Sequence, residues 1–257
     1  RQRRQVPVLL VIAALIVANS VFYLGAMGLL ANGVWLGIYA GLYLVLAIVL
    51  FMGRRVIPFF TERALAPAVE LKNSRWNDVA TFILYPLFVV SELTIPYAWP
   101  GALLAGALFI LNSFRVSGWH SLALWQKPLL WGLFAAFLMI NLGLLLRALM
   151  PVTAIPDYLH IHAFSLGGIG IITVSMMARV SLGQTGRSVH EAPSIMNLLL
   201  IGMSLSTLFR LFFHLVDPSR YELWIAAAGG LWILSFGLFA VTFIPMLWSA
   251  RVDGKTG

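Results

Sequence analysis

Cysteine is missing from all 257 positions. Its absence excludes disulfides, iron–sulfur clusters, thiolate copper sites and cysteine nucleophiles together, so any metal must be held by His, Met or carboxylate. Charge is scarce as well. Only 10% of residues are Asp, Glu, Lys or Arg, against 61% hydrophobic, whereas soluble domains carry about a quarter charged residues. The chain therefore reads as a polytopic membrane protein. It also lacks a Walker loop, a dinucleotide glycine fingerprint, a nucleophile elbow and a zinc-protease pair, so nucleotide-driven pumping and intramembrane hydrolysis have no residues behind them. No small-residue cleavage site ends the first apolar run, and Val6 onward reads as a retained helix.

What is present is a series of eight apolar segments, each long enough to cross about 30 Å of hydrocarbon. They lie near 6–30, 34–52, 77–97, 100–118, 128–149, 158–181, 194–215 and 222–249. None shows period-two alternation, and all are about twice the length of a barrel strand. The expected fold is an all-α polytopic membrane helix bundle forming one domain over 1–257. Fourteen of the 17 Lys and Arg residues then fall on one side, leaving Arg147, Arg210 and Arg220 opposite. By the positive-inside rule both termini are cytoplasmic, and the net charge of +8 sets topology instead of recruiting nucleic acid. Trp35, Trp99 and Trp224 fall at outer boundaries and Trp76, Trp119, Trp125 and Trp248 at inner ones, as an interfacial belt. Trp131 and Trp232 lie deeper, against a partner helix or a ring-shaped ligand. Residues 53–75 form the longest connection, with a short surface helix expected over Thr61 to Lys72, after Pro58.

The most informative stretch is Asp157 to Arg187. At about 100° per residue, His162, Ser165, Ile169, Thr173 and Met176 share one face about 80° wide. His160, Ala163, Gly167, Val174 and Ala178 make a second face of mostly small residues. Small residues, with Gly170 beside them, let a neighbouring helix approach closely in lipid, and the polar face offers ligand atoms to the bundle interior. The helix is expected to be central. His160 and His162, two apart, serve one site only if the helix begins between them. Thr207, Arg210 and His214 line up along span seven, and Arg147 ends span five. Haem uses axial imidazoles and profits from cations near its propionates, so this outer collection suits a haem. The same residues are equally at home reaching water or headgroups. On the inner side Arg115 reads as a snorkelling anchor and Arg179 ends the sixth span. Glu92, the one carboxylate more than a turn inside a span, has three open roles: a partner for Arg147 or Arg210, a proton relay, or a group facing water at Pro96. Met176 and Met177 are soft donors a copper ion would accept, although methionines in apolar helices usually pack.

Several of these residues carry a resemblance. His162-Ala163, Gly167, Gly170, Met177-Ala178-Arg179-Val180 and Leu182-Gly183-Gln184-Thr185-Gly186-Arg187 resemble the signature of the NnrS family. Gly53-Arg54-Arg55-Val56-Ile57-Pro58-Phe59-Phe60-Thr61 is similar to the family's Arg-Ile-Pro-Phe-Phe-Thr motif, and Pro128-Leu129-Leu130-Trp131 adds a third match. Two positions depart from the pattern: Gln184 and Phe134 stand where the family is expected to carry His. Family members are also longer, so the resemblance implies a short or N-terminally truncated form. It further implies a multi-pass protein of the bacterial inner membrane, associated with haem, copper, nitric oxide stress and denitrification. The implied site residues are His162, His160 and His214 as metal ligands, with Arg210, Arg147 and Arg179 beside the cofactor. The runner-up reading is a secondary transporter or channel-like protein for a small solute or proton.

Overall fold

A computed structural model describes residues 6–65 and 71–254, and the side chains of all of these except Val6, Pro7 and His214. Eight helical rods account for most of them, and no strand occurs among the described residues. They are α1 (Val6–Ala26), α2 (Gly33–Ala64), α3 (Arg75–Thr94), α4 (Trp99–Trp119), α5 (Pro128–Leu149), α6 (Leu159–Gln184), α7 (195–216) and α8 (Tyr221–Trp248). Local chemistry sets their starts. Pro100 and Pro128 occupy the first turns of α4 and α5, where a missing N–H costs nothing. The Ser74 side chain accepts a hydrogen bond from the Asn77 N–H and caps α3. Seven of the helices are long and apolar enough to cross a membrane, which makes the chain a multi-pass membrane protein. The eighth, α3, carries Arg75, Asp78 and Glu92 in 20 residues. We call the end of the bundle that bears Arg54, Arg75 and Arg115 the inner end.

Helix α2 differs from expectation. It runs for 32 residues without interruption, with Pro58 buried inside it. Pro58 deletes one backbone hydrogen bond but its ring packs in the core, and the helix continues to Ala64. At 1.5 Å per residue it is about 48 Å long, so its last turns extend beyond the hydrocarbon layer. Among the described residues no separate surface helix begins at Thr61: Thr61 belongs to α2, Leu71 to Ser74 are irregular, and residues 66–70 of the expected segment lie outside the described residues.

Helix α5 is the hub. Among its buried residues are Phe137, Ile140, Leu144 and Arg147, and α2, α4, α6 and α7 all pack on it. The expected central helix, α6, packs on α5 and is less enclosed. Helix α1 packs chiefly on α2 and turns most of its surface outward. Two residues expected at the inner membrane surface are instead interior. Trp119 is fully buried, donating to Asn73 Oδ1 at 2.9 Å and meeting the edge of Phe137. Arg115 is 6% exposed and does not snorkel. Its Nη1 donates to Asn112 at 2.9 Å, and its Nη2 donates to Thr81 at 3.1 Å and to Asp78 at 3.3 Å.

Candidate functional site

Helix α6 is not uniformly α-helical. Leu159–His162 is α, Ala163–Gly170 is a π-helix and Ile171–Gln184 is α again. Helix α7 repeats the device, with Phe209–Phe213 in π form. Wide π turns recur at functional positions because they re-aim side chains that a regular helix would point elsewhere. Here they flank one groove.

The small face of α6 packs inward as the sequence indicates. His160, Ala163, Gly167, Val174 and Ala178 are all buried. At Gly167 an added Cβ would collide with Met139 of α5 and Thr207 of α7, so the three helices touch through that position. Another close contact is Gly168 against Ile140; Gly170 lines the groove, and a Cβ added there would lie 3.2 Å from Met203 of α7.

The helix begins before both histidines, so His160 and His162 do not serve one site. His160 is fully buried, edge-on to Phe164 and to Tyr97. Close by lies an ion pair between α5 and α3. Arg147, with no exposed surface, donates from Nε to both Glu92 oxygens at 3.0 Å and from Nη2 to Glu92 Oε1 at 2.7 Å and the Ala98 carbonyl at 3.0 Å. Of the three roles open to Glu92, the structure places it as the partner of Arg147. A side chain at Gly101 would strike both of them. Arg147 Nη1 has no partner in hydrogen-bonding geometry among the described residues, and the His160 ring nitrogens have none but the backbone of Asp157. Tyr97 covers this cluster with a left-handed backbone at φ 62°, uncommon for a bulky residue. Burial raises its hydroxyl pKa above the ordinary value, and the neighbouring Tyr39 adds to the rise.

His162 faces the other way. With Ser165, Ile169 and Thr173 it lines a groove of about 650 Å³ between α6, α7 and α8. Arg210 enters this groove from α7, and Trp232 enters from α8, packed on Phe236 at 4.4 Å. Met176, expected on the same face, packs against the main core, because the π turns wind α6 differently from a regular helix. Thr207 likewise leaves the Arg210 face and is buried against α6, its hydroxyl donating to the Met203 carbonyl. His214 follows the π turns of α7, and its side chain lies outside the described residues. Trp232 and Tyr97 are the residues whose positions the sequence left open. The depth of Trp232 in its span was its only signal, and Tyr97 had none.

Arg179 is brought to neither outer cluster. It sits at the inner end with its guanidinium carbon 3.9 Å from the centroid of Phe60, which is the contact between the α6 signature and the α2 motif. The turn after α6 is held by the C-terminal segment: Arg251 donates to the Gln184 carbonyl at 2.9 Å, and the Val252 N–H donates to the Thr185 carbonyl. Gly186 closes it at φ 73°, beside Asp253. Gln184 therefore lies at the inner end, and so does Phe134, which is buried against His120 and Trp125. Neither departure from the family pattern touches the groove. Trp131 is also accounted for by a partner helix, donating to Asn197 of α7 at 3.0 Å.

No curated protein and no solved structure matches the chain. A family model described as NnrS protein matches residues 1–251, so a chain whose two signature motifs meet at Arg179 and Phe60 belongs to the NnrS family.

Proposed function

We propose that this protein binds haem in the bacterial inner membrane and acts in the response to nitric oxide. The observation that carries the reading is the single groove that unites His162 with Arg210. Its volume falls within the range of about 300–1,000 Å³ usual for small-molecule and cofactor sites. The donor set fits haem: His162 would hold the iron, Arg210 would meet a propionate, and Leu166, Ile225, Ile233 and Phe236 would form apolar walls. The iron of a bound haem would supply the position at which nitric oxide is captured. The protein's own residues would orient it. His162 would ligate as a neutral imidazole, and Tyr158, its ring 5.7 Å away, restricts the imidazole's rotation. Arg210 neutralises an anionic edge, and Trp232 offers a flat wall. His160, Arg147 and Glu92 would act from behind the helix, fixing its position.

Copper is not part of this reading. Among the described residues no three His, Asp or Glu side chains converge as a metal site, and Met176 is in the core.

Absorption spectroscopy of the purified full chain tests the reading. A Soret band at about 400–430 nm is expected. His162→Ala should abolish or shift it, and His190→Ala, in the inner loop, should leave it unchanged. A colourless wild-type protein after haem supplementation, or a His162→Ala variant with the wild-type spectrum and stoichiometry, would overturn it.

A further inference from the structure

A second cavity lies at the inner end, on the opposite flank of the bundle from the histidines. It is a cleft of about 760 Å³ between α1, α2 and α3, with Arg115 of α4 also lining it. Its walls are apolar for most of their length: Val11 of α1, Ala47 of α2, and Val79 and Phe82 of α3. Its inner rim is different. Arg54, Arg75 and Arg115 converge there with a single carboxylate, Asp78, which pairs with both Arg54 and Arg115. The rim therefore carries an excess of two positive charges beside an apolar slot that opens toward the membrane.

The two ends of the cleft require different chemistry from one occupant. The apolar wall runs from Arg54 back to Ala47 along α2, about 10 Å at 1.5 Å per residue, which is roughly two-thirds of a ~15 Å leaflet. An occupant whose tail fills that length and whose head meets the arginines has the dimensions of a phospholipid standing in the inner leaflet. The rim selects for a phosphate with net negative charge, as basic pockets between transmembrane helices do. Arg115 is already oriented by Asn112 and Thr81, and so presents a fixed guanidinium. Arg54 and Arg75 are exposed at the rim, within reach of a headgroup, with Arg54 drawn to Asp78.

We infer that the α1–α2–α3 cleft is a binding site for one anionic phospholipid of the inner leaflet, its phosphate held by Arg54, Arg75 and Arg115 and its acyl chain lying against Ala47, Val79 and Phe82. The inference does not depend on the haem reading, since the two cavities share no residue.

Native mass spectrometry of the detergent-purified full chain, titrated with phosphatidylglycerol or with phosphatidylcholine of the same acyl chains, tests it. One phosphatidylglycerol should remain bound under conditions that strip phosphatidylcholine. Arg75→Ala should weaken that binding about fivefold, the scale expected of one basic residue at an anionic lipid surface. Val79→Trp should abolish it by filling the slot without altering charge. Arg63→Ala, whose guanidinium lies over Phe59 outside the cleft, should leave it unchanged. Equal retention of the two lipids, wild-type binding by both cleft variants, or an equal loss in Arg63→Ala would each overturn the site. Should Arg75→Ala fail to fold, Val79→Trp decides the question alone.

Discussion

His160 and His162 are two residues apart in one helix and have opposite surroundings. His160 is sealed in the interior between Phe164, Tyr97 and the Arg147–Glu92 pair, whereas His162 opens on a groove shared with Arg210 and Trp232. The difference shows that a pair of histidines close in sequence is not a pair of ligands. A helix distributes neighbours around its circumference, and each is assigned to whatever its own face meets. One histidine then belongs to the frame that holds α3, α5 and α6 together, and the other to the surface that frame presents.

The largest effect should come from breaking the frame. Glu92→Ala leaves Arg147 charged and unpaired without access to water, and should cost about 3–5 kcal/mol. Thermal unfolding in detergent should show this, together with substantial recovery when Arg147→Met is added. A Glu92→Ala variant that melts like wild type would mean that Arg147 is neutralised by something other than Glu92. Next in size, Gly167→Leu drives a side chain into Met139 and Thr207 and should destabilise by about 1–3 kcal/mol, more than Leu166→Ala does. Tolerance of leucine at 167 would deny the tight three-helix contact.

A smaller effect should separate the histidines themselves. His160→Leu replaces a buried imidazole whose one polar partner is the Asp157 backbone with apolar atoms, so stability should change by no more than about 1 kcal/mol, and the absorption spectrum should persist. His162→Leu should lose the spectrum at equal stability. If His160→Leu instead removes the spectrum, the assignment of the two faces is reversed. The smallest effect concerns Tyr97. Its folded-state pKa is raised, so its contribution is complete below the ordinary tyrosine pKa of about 10 and declines as pH rises beyond it. Tyr97→Phe should flatten the alkaline side of a melting profile. Reporter fusions after Pro156 and Arg187 should lie on opposite sides of the membrane, with the Pro156 site outside, which places both histidines at the outer face.

The eight helices were legible because length and apolarity are properties of the segment alone, and the observed helices begin and end within a few residues of the expected limits at most boundaries, although only seven meet the length and apolarity of a span. The inward small face of α6 was legible for a similar reason: glycine and alanine at helical spacing fit only a close neighbour. Which helix forms the hub was not. Lipid tails are as apolar as leucine, so an enclosed α5 and a lipid-facing α1 have the same kind of sequence. Arg115 was misread because its partners Asp78 and Thr81 are on another helix, and composition does not reveal pairing across helices. The continuity of α2 through Pro58 escaped for the reverse reason: proline usually ends a helix in isolation, and here the surrounding core holds the helix together. The separation of Met176 and Thr207 from the groove depended on π turns that no hydrophobic period marks.

Those π turns have a consequence for how the protein tolerates length changes. A wide turn accommodates an extra residue within an otherwise α-helical rod. Deleting one residue from Ala163–Gly170 would let the wide turns tighten to regular winding, and the tighter winding offsets most of the roughly 100° that a missing residue would otherwise take from the helix beyond. Arg179 would stay close to Phe60, and Ser175 to its seat beside Gly132. A deletion in Ile171–Gln184, where no wide turn absorbs it, would instead carry everything after it out of register by about 100°. A deletion in Ala163–Gly170 that lost as much melting temperature as one in Ile171–Gln184 would show that the wide turns give no such slack.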